Sequence, residues 1–221
     1  MPEPTPAPPR APRPPSTRGR LRRRLLVEAA GALLTDEGFA AVTHRAVAAR
    51  AELPLASTTY YFGSLEELVE EAVRHLADSW LASSRAAVAQ LPRQLDTRRT
   101  AEALVRVAAL GPAGGTVGTG AEPALLLSLY ERYVQAARHP PLRAVLADYD
   151  TRIEALLTDV MGRCGGDPAA SAAPPVPARL VLAVIDGALL RALAEGTDPA
   201  GAAAEVQQLL EGFRAWSPTG P

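Results

Sequence analysis

Apolar side chains recur along most of this chain at steps of three and four residues, a spacing that places them on one face of an α-helix. The first such stripe is formed by Leu21, Leu25, Ala29 and Leu33, and it ends at Gly38. Glycine is a common residue at the end of a helix. Strand-like alternation of apolar and polar residues does not stand out in any segment. The pattern therefore predicts an all-α fold.

Residues 43–62 predict two short helices joined by a tight turn. Thr43 has the character of an N-cap, because its side-chain oxygen can accept a hydrogen bond from the first turn of the helix that follows. Leu53-Pro54 ends that helix, since the residue before a proline is pushed away from helical geometry. A further short helix is expected from about Leu55 to Tyr61. This order of elements is that of a helix-turn-helix.

The rest of the chain predicts a bundle of longer helices. Ser64 and Glu67 have the spacing of a capping box and begin a long fourth helix. Residues 111–120 and Gly165–Pro177 are rich in glycine or in alanine and proline, and we expect them to be loops. Further helices are expected at Thr97–Leu110, Glu122–Ala137, from near Pro141 onward, Ala178–Leu193 and Pro199–Trp216.

The predicted elements divide the chain into three regions. Residues 1–17 contain eight prolines and no apolar periodicity, which predicts a disordered Pro/Arg-rich arm. Residues 18–64 form a predicted three-helix unit that contains the helix-turn-helix. Residues 65–217 form the predicted helical bundle.

Composition and charge narrow the class of protein. The 221 residues are 48% hydrophobic and 21% charged, as in soluble globular proteins, and no apolar run is long enough to span a membrane. All 23 basic side chains are arginine, and nine of them stand in residues 1–62 against five acids, which leaves the front of the chain at +4. Cys164 is the only cysteine, so no internal disulfide can form and a cytoplasmic location is expected. A basic front half favours a partner that carries phosphate.

The second short helix carries small, hydroxylated and aromatic side chains that fit a DNA groove. Ser57, Thr58 and Thr59 can hydrogen-bond to bases or contact a thymine methyl group. Tyr60 and Tyr61 are long enough to reach a phosphate. One of the two tyrosines should face the core together with Phe62, and we favour Tyr61 as the one that faces DNA.

Phosphate contacts can also come from outside this helix. Thr43 can contact a phosphate while it caps its helix, and Arg45 in the first turn can reach the DNA backbone. Arg20 and Arg22 belong to an arginine cluster at the start of the first helix that could attract DNA electrostatically, and a flexible arm ahead of this helix could enter an adjacent minor groove. A solubilising tail without DNA contact explains the N-terminal arm equally well.

Together these motifs resemble the TetR family of bacterial transcriptional regulators. The resemblance is carried by the basic helix that ends in Gly38-Phe39, by Thr43-x-x-x-Val47-Ala48, by Thr59-Tyr60-Tyr61-Phe62 and by Ser64-Leu-Glu-Glu-Leu68. This chain departs from the usual pattern at Glu52 and Ala56, where glycine is common, at Thr58-Thr59, and at Leu65, where lysine is frequent. The resemblance implies a homodimer that binds a palindromic operator in double-stranded DNA, most often as a repressor, and is released by a small-molecule effector.

The resemblance also implies a dimer surface and an effector pocket in the bundle. From Leu142 onward, apolar residues recur at two positions in every seven, a seam that favours packing against another helix. The helix Ala178–Leu193 is apolar on nearly all sides. We predict that they pair across the twofold axis, although packing within one chain remains an alternative; the predicted interface residues are Leu142, Leu146, Ile153, Leu182, Ile185 and Leu189. The predicted pocket residues are the large aromatics Trp80, Tyr130, Tyr133 and Tyr149. The effector itself is unknown.

Two other classes of function are alternatives to a DNA-binding regulator. An enzyme is disfavoured, because the sequence has only three histidines and lacks a nucleophile motif, metal-ligand spacing and a phosphate-binding glycine loop. No cofactor is therefore expected. The other alternative is a helical ligand- or protein-binding module with weak or lost DNA binding, which the departures at Glu52, Ala56 and Leu65 keep open.

Overall fold

The structure is a computed structural model that describes residues 17–109, 123–164 and 176–215. Within these ranges the regular elements are helices, and the predicted all-α fold is confirmed. The α-helices are α1 (Thr17–Asp36), α2 (His44–Arg50), α3 (Ala56–Tyr61), α4 (Leu65–Ala89), α5 (Thr97–Ala109), α6 (Pro123–Arg138), α7 (Pro140–Gly162), α8 (Ala178–Glu195) and α9 (Ala202–Ala215). Short 3-10 turns at Phe39–Ala41 and Pro199–Gly201 precede α2 and α9. None of the described helices is both long and apolar enough to cross a bilayer.

The predicted element limits differ from the observed ones mainly at the last helix. The sequence predicted one helix over Pro199–Trp216, whereas the structure has a 3-10 turn and then α9. Asp198 caps the turn, because its side chain accepts a hydrogen bond from the Ala200 N–H at 2.9 Å. Residues 1–16 of the predicted N-terminal arm and most of the two predicted loops lie outside the described residues, and Thr17, the last residue of the predicted arm, begins α1.

Local capping bonds fix the starts of α2 and α4, as the sequence predicted. Thr43 Oγ1 accepts a hydrogen bond from the Ala46 N–H at 3.1 Å, and Ser64 Oγ accepts one from the Glu67 N–H at 3.1 Å. The Glu67 carboxylate accepts a bond in return from the Gly63 N–H at 2.7 Å, one residue earlier than in a standard capping box. These caps fix where α2 and α4 begin, and α3 lies between these two helices in the chain.

Two apolar cores lie along the length of α4. The first core joins α1, α2 and the start of α4, and it includes Leu26, Leu34, Val47, Phe62 and Leu68. The second core joins the far end of α4 to α5, α7, α8 and α9. Because α4 is 25 residues long and contributes to both cores, it links the helix-turn-helix mechanically to the bundle.

The α7 seam faces the interior of the protomer, which corrects the predicted dimer surface. Leu142 and Leu146 are buried in the first core, and Ile153 is buried in the second. Ile185 and Leu189 of α8 are also buried within the chain, and Leu182 is half-buried. The seam therefore packs on helices of the same chain, chiefly α4 and α5. Its two-per-seven spacing reflects this contact within the chain.

Candidate DNA-binding surface and regulatory core

A backbone hydrogen bond closes the turn between α2 and α3, and one residue of the turn has an unusual backbone conformation. The Leu53 N–H donates to the Ala48 carbonyl oxygen at 3.0 Å. Glu52 has a φ of 53°, in the left-handed region, which explains why glycine would suit this position. Arg50 ties the end of α2 to the end of α1 through ion pairs with Asp36 and Glu37.

Phe62 anchors the end of α3. Its ring is buried, as predicted, and the Arg23 guanidinium lies 4.8 Å from the ring centroid. Arg23 also forms a bidentate ion pair with Glu71 of α4, which raises the pKa of the arginine. Arg23 therefore holds α1, α3 and α4 together.

The outward side of α3 is formed by Thr59 and Tyr60. Tyr60 is 80% exposed, and Thr59 is exposed beside it. Ser57 is half-buried at the edge of this side. Thr43 and Arg45 at the start of α2 are also exposed. The structure thus leaves these five predicted DNA-binding residues open to solvent, in whole or in part.

Thr58 does not belong to this surface, and the prediction for it was wrong. The residue is completely buried, and its hydroxyl donates to the Leu55 carbonyl oxygen at 2.8 Å. The preference between the two tyrosines is also reversed. Tyr61 is half-buried against the first core, so Tyr60 is the one that points outward. The reason in both cases is the rotation of α3, which is set by the burial of Phe62.

The first turns of α1 carry the predicted arginines. Arg20 is exposed and donates to Thr17 Oγ1 at 3.3 Å, and Arg22 is half-buried. Residues 1–16, which would form most of the predicted arm, lie outside the described residues. Whether Arg20 and Arg22 contact DNA stays a prediction.

A second group of chemistry-bearing residues lies inside the bundle, and we call it the aromatic–carboxyl cluster. Its members are Trp80, Tyr130, Arg132, Tyr133, Tyr149, Asp150 and Asp186. The Arg132 guanidinium carbon lies 3.7 Å from the Trp80 ring centroid, and the Trp80 and Tyr149 rings meet edge to face at 6.4 Å. Four helices, α4, α6, α7 and α8, supply these side chains.

The two carboxyl groups of this cluster are held by tyrosines. Tyr130 Oη lies 3.2 Å from the Asp186 carbonyl oxygen and 3.4 Å from Asp186 Oδ1. Tyr133 donates to the Asp150 carboxylate. Burial raises the pKa of Asp186 to about 6, and burial also raises the pKa of Asp150. Both acids are therefore more easily protonated than solvated ones.

Arg132 is the most buried charged residue of the cluster, with 2% of its surface exposed. Burial lowers the pKa of its guanidinium to about 10, so it stays charged at neutral pH. The sequence analysis named the four aromatic residues as pocket residues, which stays a prediction, and it did not name Arg132, Asp150 or Asp186. The sequence could have indicated Asp186 as a candidate site residue, because it is the only acid within the otherwise apolar stretch 180–190.

Comparison with family models decides what kind of protein this architecture represents. Residues 26–72 match the model described as bacterial regulatory proteins, tetR family. Residues 96–213, more than half of the chain, match the model described as tetracyclin repressor-like, C-terminal domain. The chain belongs to the TetR family of bacterial transcriptional regulators. The α2–α3 pair is the helix-turn-helix of this TetR regulator, and the bundle is its ligand-binding domain.

Solved structures of other proteins share this fold along most of the chain. The multidrug binding protein EbrR complexed with proflavin is 29% identical, with a TM-score of 0.61, over 87% of this chain and 99% of that one. EbrR complexed with ethidium is 27% identical, with a TM-score of 0.62, over 87% and 98%. A TetR-family member from Streptomyces coelicolor A3, SCO1917, is 27% identical, with a TM-score of 0.60, over 87% and 97%. A search of curated proteins found no match.

Proposed function

We propose that this TetR-family regulator is a cytoplasmic repressor that binds a palindromic operator as a homodimer and is released by a small-molecule effector. The proposal rests mainly on one observation, the outward presentation of Thr59 and Tyr60 on α3 of a family-matched helix-turn-helix. In this proposal the protein acts by binding and not by catalysis.

The exposed residues divide into two kinds of DNA contact. Ser57 and Thr59 are short and can hydrogen-bond to base edges in the major groove. Tyr60 and Arg45 carry longer or charged groups that suit phosphates, and Thr43 can contact a phosphate from the start of α2. Because α3 contains no arginine, direct readout of bases is modest and affinity depends on phosphate contacts.

The exposed side of α8 is the surface we propose for the dimer. Its exposed small and apolar residues step by three and four, and they are Leu180, Ala183, Gly187, Leu190 and Ala194. Leu190 is 48% exposed, and apart from its chain neighbours and the backbone of α8, a Cβ placed on Gly187 would meet no atom within 4 Å. A stripe with small residues lets two helices approach closely, and this stripe replaces the buried residues predicted from the sequence.

The aromatic–carboxyl cluster is the effector site we propose. Two half-buried carboxyl groups against one guanidinium leave the site net acidic when they are ionised, and aromatic rings bind organic cations through their faces. The Trp80 indole N–H is buried without a hydrogen-bond acceptor among the described residues, and it offers a donor to a ligand. Proflavin and ethidium are bound by the related EbrR, and ethidium is an aromatic cation. We therefore propose an aromatic organic cation as the effector.

Selection of bound fragments from random duplex DNA tests the DNA-binding part of the proposal. We expect enrichment of a palindrome whose half-sites lie about one helical turn apart. Adding ethidium to the purified complex should then release the DNA, and the Asp186→Asn variant should need more ethidium. An absence of enrichment would instead support a helical binding module that has lost DNA binding.

A further inference from the structure

A cavity of about 370 Å³ lies between the helix-turn-helix and the bundle, away from the aromatic–carboxyl cluster. One wall is the 3-10 turn with Phe39 and Ala40 and the first turns of α4 with Val69. The opposite wall is the corner between α6 and α7 at Pro140 and Leu142. This volume lies within the range of small-molecule sites. The cavity is therefore large enough for a ligand and is built from both functional parts of the chain.

The cavity is separate from the proposed effector site. Trp80 lies eleven residues beyond Val69 on α4, which corresponds to about 16 Å along the helix axis. The two sites share no lining residue. A ligand in one site therefore leaves the other site open.

The polar groups of the cavity favour a cation over an anion. The start of α7 offers no amide donors at Pro140 and Pro141, because proline lacks an N–H. At the start of α4 the Glu67 N–H already donates to Ser64 Oγ at 3.1 Å. The proline positions of α7 and the capped Glu67 amide of α4 are therefore not available to an anion.

Glu66 supplies the charge at this cavity. Hydrogen bonds from its own backbone N–H and from Ser64 lower the pKa of its carboxyl, so the group is ionised at neutral pH. Gln135 and His139 complete the polar lining, and the remaining walls are apolar. The lining thus combines an apolar chamber with a carboxylate at its edge.

We propose that this cavity binds a small amphipathic amine, whose apolar body lies against Phe39, Val69 and Leu142 and whose ammonium group pairs with Glu66. Because its walls come from both sides of the junction, the ligand binds only one relative placement of the helix-turn-helix and the bundle. Occupancy is therefore thermodynamically linked to DNA binding.

Three probes with one carbon skeleton test the chemistry of this site. They are 4-phenylbutylamine, 4-phenylbutanol and 4-phenylbutyrate, and their affinities for the full chain are measured by calorimetry without DNA. We expect the amine to bind about threefold more tightly than the alcohol, the size of an exposed ion pair, and the carboxylate to bind most weakly. Glu66→Gln should remove the difference between amine and alcohol.

Two further variants test the location. Ala40 is exposed and lines the cavity, so Ala40→Trp should fill it and weaken all three probes at least tenfold. Glu195→Gln removes an exposed acid at the end of α8, outside both sites, so it is the matched control and should leave the amine affinity unchanged. Glu66→Gln still decides the question if Ala40→Trp fails to fold.

The proposal is overturned if none of the probes binds, if the carboxylate binds as tightly as the amine, or if Ala40→Trp folds and keeps the wild-type affinity. Amine binding that is lost in Asp186→Asn but kept in Glu66→Gln would also overturn it, since the amine would then bind only in the bundle. Because these measurements contain no DNA, a failure of the proposed operator binding leaves their outcome interpretable.

Discussion

At the scale of single residues, Glu52 stores strain in the helix-turn-helix. It is the one non-glycine residue with a positive φ in the part of the chain that the structure describes. A side chain in this conformation places its Cβ close to a carbonyl oxygen, a contact that glycine avoids. The turn geometry is therefore kept by the surrounding structure, and the residue itself opposes it.

Glu52→Gly should stabilise the protein by about 0.5 to 1 kcal/mol, since relief of the left-handed strain exceeds the added entropy of the unfolded chain. Urea denaturation of the wild type and the variant measures the change. Glu52→Ala keeps a Cβ and should show no such gain. An equal gain in both variants would mean that the side chain of Glu52, and not its backbone, is unfavourable.

Asp186 is a second residue whose environment sets its chemistry. Its pKa of about 6 in the folded protein lies above the ordinary value of 3.8, mainly because of burial. The folded state thus binds the proton more tightly than the unfolded state. The stability that this carboxyl contributes is fully present below about pH 4 and is lost as the pH rises through 6.

Asp186→Asn should remove this part of the pH dependence. The free energy of unfolding of the wild type, relative to the variant, should fall by roughly 2 to 3 kcal/mol between pH 4 and pH 8. Denaturant unfolding at several pH values measures it. Glu195→Gln, at an exposed acid near the end of the same helix, is the control and should follow the wild type. A pH profile of Asp186→Asn parallel to that of the wild type would exclude Asp186 as the source.

At the scale of elements, α3 has two distinct sides although it is only six residues long. Thr58 faces the core and Tyr60 faces solvent, because Phe62 at the end of the helix is buried and fixes the rotation. The two sides therefore make different contributions: one holds the helix in place and the other is available to DNA.

Tyr60→Phe should weaken operator binding about threefold to tenfold through the loss of one hydrogen bond, with no change in stability. Thr58→Val should do the reverse, lowering the free energy of unfolding by about 1 kcal/mol with the operator preference unchanged. Fluorescence anisotropy with labelled operator and thermal unfolding measure the two effects. If Tyr60→Phe binds with wild-type affinity, the phenol group makes no phosphate contact.

At the scale of the whole molecule, the long helices decide how one protomer is built and which surface is left for a partner. The buried α7 seam and the inner face of α8 complete the protomer, and the stripe from Leu180 to Ala194 remains exposed. In the proposed function, a second copy on this stripe supplies the second helix-turn-helix for the palindromic operator. The proposed dimer therefore depends on residues that contribute little to the core of one chain.

Leu190→Arg should produce a folded monomer with weaker operator binding, because it places a charge in the proposed interface. Analytical ultracentrifugation at low micromolar concentration measures the mass. Leu127→Arg is the matched control, since Leu127 is 58% exposed but lies on α6, and it should stay dimeric. A Leu190→Arg dimer would refute the α8 stripe. Ile185→Asp is no substitute, because a charge at a fully buried position disrupts folding.

The sequence by itself determined the features that depend on neighbouring residues. The N-caps at Thr43 and Ser64, the break at Leu53-Pro54 and the helical spacing of apolar residues act within a few positions, and each was predicted correctly. The tertiary structure alone decided which side of each helix faces inward. A stripe of apolar residues looks the same whether its partner is the same chain or a second one, so Ile153 and Ile185 were assigned to the wrong contact. The environment of Arg132, Asp150 and Asp186 likewise arises only when helices distant in sequence pack together, because burial and long-range pairing are properties of the folded chain.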